Sequence, residues 1–570
     1  MQKANQFRGP DASEILIQQN DNWQIGVGVN RLQVIDNDTH SNQPMVSDCG
    51  NYILAFNGEV YNYQDLKNQL INKGYQFKTR SDTEVVLYWL KEFGAEGLTD
   101  FKGMFALAFI NLVKNEVFIS RDKQGIKPLF ICQTNDQVLI SSSIRAIEVG
   151  GLVKLSVRES AVDDYLAYRH VMGTKTFYSE IEALEPGEVK IYNSRLQTES
   201  SIINLLEREK PDDLKTSLID ATTLMFEAPT PSGLLLSGGV DSTLLLAILR
   251  QELGVRGLNT YTLGIGEDQK WAKRAAQQYD SNHIEVPTTI DDLQKLPEFL
   301  ENTDQPIADS GAFATWLISE EAAKNSNVLL SGAGADELFG GYNRHRAYYY
   351  YLKNHSKTIR AKNILGNTGL NAIMPKSIQQ FLDGVDYDPM ITYQKFLQNY
   401  GIKQKEDFDE LWKKPESLVD NLESALEFDL NNYLVGDVLA ITDNATMQNS
   451  VETRVPYLFD DVIAQAKELP ISEKMKSGGK GPLKEILTAY GGEKYAKRKK
   501  HGFGLPLGNW FRNKATFWLW EFLQSDSPIF AYISKSDIAQ ILRQHQQGKK
   551  DNSMQLWSIL VLQNWLSRTD

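Results

Sequence analysis

Short apolar runs separated by turn residues fill the first third of the chain. The runs are RLQVID (31–36), YILAF (52–56), MFALAFI (104–110), EVFIS (116–120) and QVLISS (137–142). Aliphatic and aromatic runs bounded by Gly, Asn and Asp predict strands. Two further segments, 63–74 and 82–94, have helical periodicity and end in Gly, as capped helices do. This third is therefore expected to form sheets covered by helices.

The pattern changes after a polar segment, NSRLQTESS (193–201), which we interpret as a linker. Strand-like and helix-like segments then alternate. The strand-like ones are GLLL (233–236), LNTYTLGI (258–265), HIEVP (283–287) and VLLS (328–331), and the helix-like ones are 243–254 and 268–279. This alternation predicts a parallel sheet with right-handed crossovers. From about residue 340 onward almost every segment has a helical pattern.

The segment LLLSGGVDST (234–243) predicts a loop that binds phosphate. Gly238 and Gly239 let backbone N–H groups approach an anion at the start of a helix, and Ser237 and Ser242 can donate hydroxyl hydrogens. Asp241 suits Mg²⁺ held beside a phosphate rather than the phosphate itself. The segment has no Lys-Ser or Lys-Thr after the glycines and so is not a Walker A loop. Taken alone, it also fits a strand–helix turn without a ligand.

A second loop, LLSGAGADELFGGY (329–342), also follows an apolar strand and carries glycines and acids. Two such loops at the carboxyl edge of a parallel sheet are what a nucleotide–Mg²⁺ site requires. Together they resemble the synthetase domain of the asparagine synthetase family, which cleaves ATP to AMP and pyrophosphate. The segments DNATMQNSVETRVPYLFD (443–460) and KRKKHGFGLPLGNWF (497–511) are similar to two further motifs of that family.

The resemblance implies a set of site residues for the synthetase half. Its nucleotide contacts fall on Leu235, Ser237, Gly238, Gly239, Asp241, Ser242, Leu263, Ser331 and Gly332. Its magnesium-binding aspartates fall on Asp241 and Asp336, and its phosphate-binding lysine falls on Lys500. Glu452 is the candidate for an acid/base or substrate-positioning role.

The first third is similar to the family's glutaminase domain, an N-terminal-nucleophile αββα sandwich. The matching segments are RGPD (8–11), RLQVID (31–36), FNGEVYN (56–62), SDTEV (81–85) and RDKQGIKPLF (121–130). By this resemblance Arg31 binds the glutamine carboxylate. Glu59 and Asp82 hold its ammonium group and nearby backbone, and Asn57 with Gly58 forms the oxyanion hole.

One element of the glutaminase pattern is missing. The family's nucleophile is a cysteine directly after the initiator Met, whereas Gln2 follows Met1 here, and Cys49 and Cys132 match no nucleophile motif. The chain as written is not expected to hydrolyse glutamine. We consider three explanations: a misplaced start or truncation, an ammonia-dependent enzyme, and a front domain kept only as a scaffold. A sandwich without its first strand would have exposed sheet edges and a void in its core, which favours the first explanation.

Two substitutions concern the acceptor. Ala333 stands where the family usually has Glu, and Asn444 where it commonly has Arg or Lys. Aspartate is the expected acceptor, and another carboxylate, on a sugar or a secondary metabolite, is the alternative. A cyclase and a non-catalytic scaffold homologue are further alternatives.

Composition limits the remaining possibilities. The chain has 570 residues, two cysteines and a formal charge of −13, with 60 basic and 73 acidic residues. This charge argues against a nucleic-acid-binding surface and against a tRNA-modifying enzyme, and the cysteine content fits a reducing compartment such as the cytoplasm. The longest apolar run, 103–113, is too short to span a bilayer. A homo-oligomer is possible.

These observations together predict α/β and α+β architecture. Residues 1–195 are expected to form the glutaminase-like sandwich. Residues 205–570 are expected to form a pyrophosphate-loop adenylating α/β domain with a helical C-terminal part. The predicted function is that of a ligase, an asparagine synthetase-type enzyme that uses ATP, Mg²⁺, a carboxylate acceptor and glutamine or ammonia.

Overall fold

The computed structural model describes most of the chain. The described residues are 1–19, 23–202, 213–227, 230–368, 374–399, 406–418, 420–499, 502–512 and 526–568. Their strands are β1 Ala12–Gln19, β2 Gln24–Arg31, β3 Met45–Val46, β4 Tyr52–Val60, β5 Gly103–Asn111, β6 Glu116–Arg121, β7 Phe130–Gln133, β8 Val138–Ser141, β9 Glu182–Ala183, β10 Glu188–Asn193, β11 Thr198–Ile202, β12 Ser232–Leu235, β13 Asn259–Leu263, β14 Asn282–Val286, β15 Val328–Leu330 and β16 Glu452–Arg454.

Helices cover the sheets and make up most of the C-terminal part. They are α1 Tyr63–Asn72, α2 Asp82–Phe93, α3 Ile144–Gly150, α4 Glu159–Tyr168, α5 Leu214–Phe226, α6 Val240–Gln251, α7 Gly266–Gln278, α8 Leu296–Glu301, α9 Ser310–Ala322, α10 Ala335–Phe339, α11 Asn343–Lys353, α12 His355–Thr368, α13 Lys376–Gly384, α14 Pro389–Leu397, α15 Glu406–Leu411, α16 Asn421–Phe428, α17 Ala440–Met447, α18 Asp460–Glu468, α19 Ile471–Lys474, α20 Gly481–Ala489, α21 Glu493–Ala496, α22 Leu507–Trp510, α23 Lys535–Gln546 and α24 Ser553–Leu566. A π-helix, Asp429–Leu439, precedes α17. None of the described helices is long and apolar enough to cross a bilayer.

The first third forms four layers. Helices α1 and α2 pack on one face of a six-stranded antiparallel sheet, in the order β11-β10-β6-β5-β4-β3. The other face packs against the three-stranded sheet β8-β7-β9, and α3 and α4 cover the far side of that sheet. The αββα arrangement is confirmed. A separate hairpin, β1–β2, lies beside these layers.

Two local predictions in this third are wrong. Of RLQVID only Arg31 is in a strand, because residues 32–38 wrap around the guanidinium of Arg31, which donates to the carbonyl oxygens of Asp36 and Asp38. The segment 193–201 is not a linker but the end of β10, the turn 194–197 and most of β11. Asn193 Oδ1 accepts two backbone hydrogen bonds there, and β11 pairs with β10, so the sheet continues beyond residue 195 to Ile202.

The second half is built on a five-stranded parallel sheet in the order β14-β13-β12-β15-β16. Apolar helix faces bury both sides of it, with α5, α6, α7, α18 and α20 on one side and α8, α9 and α24 on the other. The parallel sheet predicted from the alternating pattern is confirmed. The short strand β16 falls in a region predicted to be helical, and its three residues are too few to show a period.

Candidate functional site

The predicted ATP-binding residues lie at one edge of the parallel sheet, where β12, β13 and β15 end. They are Leu235, Ser237, Gly238, Gly239, Asp241, Ser242, Leu263, Ser331 and Gly332. The chain runs from β12 outward to β13 and β14 in one direction and continues with β15 and β16 in the other. Nucleotides bind in the crevice that such a reversal of strand order opens at the carboxyl ends of the strands.

The first loop, 237–242, is held in one conformation by its own hydrogen bonds. Ser237 N–H donates to Ser242 Oγ at 3.2 Å, and Gly239 N–H donates to Ser237 Oγ at 3.3 Å. Gly238 has φ +67°, and a methyl group added there would lie 2.4 Å from the carbonyl carbon of Trp271, so only glycine fits. Helix α6 starts at Val240 without a side-chain cap among the described residues, which leaves its first amides directed at the crevice.

The second loop lies directly against the first. A methyl group added at Gly332 would lie 2.9 Å from Cβ of Asp241. Ser331 Oγ accepts the N–H of Ala333 at 3.3 Å, and Ser331 N–H donates to the carbonyl oxygen of Arg454 at 2.9 Å. The structure therefore brings the two predicted loops together, with the neighbouring strand β16 supporting the second.

Lys480 joins the two predicted metal-binding aspartates. Its Nζ lies 2.5 Å from Asp241 Oδ2 and 2.7 Å from Asp336 Oδ1, and the lysine is only 5% exposed. Burial lowers the pKa of Lys480, but the two carboxylates outweigh this effect and raise the pKa to about 12, so the lysine is charged. A methyl group at Gly341 would lie 1.9 Å from Asp336 Oδ1 and 2.1 Å from Lys480 Cε, so this group of side chains is closely packed. Sequence reasoning missed Lys480, although its setting, SGGKGP before a helix, resembles an anion-binding turn.

The two aspartates fit a magnesium ion. Their oxygens already converge on one cation, the Lys480 ammonium, and carboxylates are the protein ligands that Mg²⁺ prefers. Mg²⁺ at nucleotide sites commonly takes one or two carboxylates and completes its shell with phosphate oxygens and water. Among the described residues no cluster of three or more His, Cys, Asp or Glu could hold a metal without such a nucleotide.

Lys500, the predicted phosphate-binding lysine, lies outside the described residues. Its described neighbour Arg498 donates to the carbonyl oxygen of Ser237 at 3.0 Å and forms an ion pair with Asp268. The basic segment containing Arg498 therefore reaches the first loop.

The predicted glutamine-binding residues surround one cavity in the front domain. They are Arg31, Asn57, Gly58, Glu59 and Asp82. The cavity has a volume of about 1150 Å³ and extends between hairpin β1–β2, the six-stranded sheet and β8. Apolar side chains such as Ile15, Ala108 and Ile140 line it, and neither cysteine does.

Several of these residues already have protein partners. Asn57 Nδ2 donates to Ser142 Oγ at 3.2 Å. Gly58 has φ +137°, and a methyl group there would lie 2.0 Å from the carbonyl oxygen of Met104. Asp82 Oδ2 accepts the N–H of Val60 at 3.1 Å, and burial raises the pKa of Asp82 to about 6.

Glu59 and Glu452 belong to an ion network between the two halves of the chain. Arg454 donates to Glu59, and its Nε lies 3.1 Å from Glu452 Oε1. Lys127 Nζ lies 3.6 Å from Glu452 Oε2 and 3.3 Å from Asp443 Oδ1. Glu452 is thus beside the glutamine pocket, with two cations on its carboxylate. Burial raises the pKa of Glu59, and Arg454 opposes this effect.

The two residues that depart from the family pattern occupy different places. Ala333 is half-buried in the second loop, next to the crevice. Asn444 is buried in α17, and its Nδ2 lies 3.5 Å from Asp304 Oδ2, near the interface of the two halves. Only Ala333 lies in a nucleotide loop.

Family models match both halves of the chain. The model described as glutamine amidotransferase domain matches residues 1–201, and the model described as asparagine synthase matches residues 213–567, more than half of the chain. The chain belongs to the asparagine synthase family. Its two loops and its parallel sheet thus lie in the asparagine synthase domain, and its cavity lies mostly in the amidotransferase domain, with Met447 and Glu452 of the other domain at its edge.

Individual relatives cover nearly the whole chain at low identity. Asparagine synthetase [glutamine-hydrolyzing] 1 of Bacillus subtilis is 28% identical over 597 residues, which span 98% of this chain and 92% of the relative. A putative asparagine synthetase [glutamine-hydrolyzing] of Mycobacterium tuberculosis is 28% identical over 599 residues, 94% of this chain and 88% of the relative. Asparagine synthetase B of Escherichia coli is 27% identical over 411 residues, 66% of this chain and 69% of the relative.

Proposed function

We propose that the protein is an ATP-dependent, AMP-forming ligase that converts aspartate and ammonia into asparagine. The observation that carries this proposal is the convergence of Asp241 and Asp336 on Lys480, at the edge where two glycine loops meet. This arrangement offers carboxylates for Mg²⁺, a fixed cation and backbone N–H groups for phosphates within one crevice. Family membership and the names of the relatives support the same activity.

The first step proposed is adenylation. An oxygen of the acceptor carboxylate attacks the α-phosphorus of ATP, the bond from that phosphorus to the bridging oxygen breaks, and pyrophosphate leaves. Ser237, Ser242 and the amides of the first loop hold the phosphates. Magnesium, held by Asp241 and Asp336, would neutralise negative charge on the polyphosphate. Lys480 places a positive charge at the same point, and Lys500 is proposed as a second phosphate-binding lysine.

The second step proposed is amide formation. Neutral ammonia attacks the acyl carbon, the bond to the AMP oxygen breaks, and a proton is lost from nitrogen. In the amidotransferase domain Arg31, Asn57, Gly58, Glu59 and Asp82 are the proposed glutamine-binding residues because all five line one cavity. Glu452 is proposed as a positioning residue between the two sites, since Arg454 and Lys127 hold its carboxylate.

Aspartate is the proposed acceptor because the relatives are named asparagine synthetases. Ala333 has no group that can transfer a proton and leaves the side of the second loop open. A larger carboxylate, on a sugar or a secondary metabolite, is therefore the second candidate acceptor.

Pyrophosphate release tests the proposal. The purified protein is given Mg·ATP, ammonium chloride and one carboxylic acid at a time: aspartate, glutamate, succinate and uronic acids. Release with aspartate and stoichiometric AMP and asparagine is the expected result. Asp336→Asn is expected to lower kcat by roughly 100-fold or more, as loss of a charged group in a preorganised site does.

Asp409→Asn is the matched control, because Asp409 is exposed on α15 and is far in sequence from both loops. It is expected to leave turnover unchanged. Turnover with a uronic acid but not aspartate would replace the acceptor in the proposal. No turnover with any acid, while Mg·ATP still binds, would contradict the ligase function itself.

A further inference from the structure

The loop 477–480 packs closely against the segment that follows Asp336. All four residues of the loop have positive φ angles, between +56° and +93°. A methyl group added at Gly479 would lie 2.2 Å from the carbonyl oxygen of Gly340, so the two backbones are in contact there. Lys480 ends the loop, and its Nζ lies 2.7 Å from Asp336 Oδ1. The loop therefore borders the crevice at the point where the metal is proposed to bind.

Arg346, on helix α11, lies against the same loop. A methyl group added at Gly478 would lie 3.6 Å from Arg346 Nε and 3.7 Å from its Cζ, which is van der Waals contact. The Nε atom is buried without a hydrogen-bond partner, and the guanidinium forms no ion pair within the described part of the chain. The residue as a whole is half-buried, so a ligand can reach it. An arginine without a carboxylate partner has all its donors available for phosphate oxygens.

Lys484 is a second cation without an acidic partner at this loop. It follows Lys480 by one turn of α20, and its Nζ donates to the carbonyl oxygen of Ser477 at 2.8 Å. Arg346 and Lys484 thus contact adjacent residues of the loop, Gly478 and Ser477. Burial, Arg346 and Lys480 lower the pKa of Lys484 to about 8. An anion between these cations would offset their mutual repulsion.

The charges around the loop favour a polyanion. Lys480 is shared by Asp241 and Asp336, whereas Arg346 and Lys484 contact no carboxylate among the described residues. Mg²⁺ at the two aspartates would add further positive charge. Several cations beside a metal site suit a polyphosphate, which carries several negative charges, better than a single carboxylate.

We propose that Arg346 binds the terminal phosphates of ATP and holds them as pyrophosphate after the bond to the α-phosphorus breaks. A planar guanidinium donates two parallel hydrogen bonds to phosphate oxygens, whereas a lysine acts as a point charge. Arg346 would therefore orient the leaving group as well as neutralise it. This inference rests on the proposed ligase function and adds to it a residue outside both nucleotide loops.

Three ligands and two variants test this role. ATP and pyrophosphate carry the phosphates that Arg346 is proposed to bind, and AMP lacks them. Calorimetric titrations with Mg²⁺ and without an acceptor measure each dissociation constant. Arg346→Gln is expected to weaken the binding of ATP and pyrophosphate roughly 10- to 100-fold, as loss of a hydrogen bond to a charged group does, and that of AMP less than about threefold. Arg346→Lys keeps the charge without the fork and should recover part of the loss.

A matched control and thermal melting separate phosphate binding from a structural role. Arg360 is exposed on α12 and has no ion pair in the described structure, so Arg360→Gln should change none of the three dissociation constants. Arg346 has no side-chain partner to lose, and the Tm of Arg346→Gln is expected to stay within roughly 2 °C of the unchanged protein. Equal weakening of AMP, ATP and pyrophosphate would overturn the proposal, as would unchanged pyrophosphate binding.

The inference can fail separately from the proposed function. If the unchanged protein turns over no carboxylic acid but binds pyrophosphate in a way that Arg346→Gln weakens, the ligase proposal fails and the role of Arg346 is supported. If aspartate is converted and Arg346→Gln binds pyrophosphate as tightly as the unchanged protein, only the role of Arg346 fails. No binding of ATP or pyrophosphate by the unchanged protein would contradict both.

Discussion

Arg454 connects the glutamine pocket to the nucleotide loop. Its guanidinium donates to Glu59, a residue of the cavity in the front domain, while its own carbonyl oxygen accepts the N–H of Ser331 at 2.9 Å. The side chain is almost fully buried, and it also bonds Glu452 and the carbonyl oxygen of Met225. One residue thus contacts both candidate sites, so a change at either site can alter the position of the other.

Replacing Arg454 with Met is expected to destabilise the protein strongly. Glu59 and Glu452 would be left buried without their shared cation, and breaking a buried ion pair from one side costs about 3–5 kcal/mol. Urea unfolding measures the change. Lys413→Gln, which removes an exposed ion pair with Glu427, is the control and should cost less than about 1 kcal/mol. Equal losses for the two variants would show that the Arg454 network contributes little.

Asp82 makes stability depend on pH. Burial raises its pKa from 3.8 to about 6, so the folded protein holds a proton that the unfolded chain has already released in this range. Stability from this group is therefore present below pH 4 and is lost as the pH rises to 6. The shift corresponds to about 3 kcal/mol.

Asp82→Asn is expected to remove this dependence. The variant should gain stability relative to the unchanged protein as the pH rises from 4 to 7, measured by chemical denaturation at each pH. Asp65→Asn, on the exposed face of α1, should show no such trend. A constant difference between Asp82→Asn and the unchanged protein would mean that the pKa of Asp82 is the same in the folded and unfolded states.

The apolar pattern predicts strands such as β4, β5, β12 and β13, but not the hairpin β1–β2 or helix α9, and it does not predict contacts between distant segments. The loops 237–242 and 331–336 follow strands that the apolar pattern predicts, and both lie at the expected sheet edge. Residues 32–36 look like a strand because Leu32, Val34 and Ile35 form an apolar run, but hydrogen bonds from Arg31 decide their conformation. No local pattern pairs Lys480 with the two aspartates, because tertiary packing alone brings these residues together.

The positions of the cysteines lead to a prediction about the nitrogen source. Cys49 is exposed and Cys132 is buried, and neither lines the cavity that holds the proposed glutamine-binding residues. A polypeptide of the printed sequence is therefore expected to release no glutamate from glutamine, while ammonium supports pyrophosphate release. Glutamate release measured by a coupled dehydrogenase assay checks this. Release that survives in a Cys49→Ser, Cys132→Ser double variant would reveal a nucleophile other than cysteine.

Lys480 is expected to have two separable roles, one in stability and one in turnover. In Lys480→Met the carboxylates of Asp241 and Asp336 lose the cation between them, and their mutual repulsion should lower Tm when no metal is present. Because Mg²⁺ prefers such carboxylates, millimolar Mg²⁺ should raise the Tm of this variant more than that of the unchanged protein. Chelation by EDTA should reverse the gain.

Mg²⁺ should not restore the turnover of Lys480→Met along with its Tm. If Lys480 also contacts the phosphates, Mg²⁺ can restore the fold of Lys480→Met but not the missing positive charge, and kcat should stay roughly 100-fold or more below normal. Lys476→Gln, which removes an exposed ion pair with Glu485, is the matched control and should change neither Tm nor kcat. Full recovery of kcat with Mg²⁺ would show that Lys480 only neutralises the two aspartates. Restored stability without restored turnover would show that the positive charge of Lys480 assists the release of pyrophosphate.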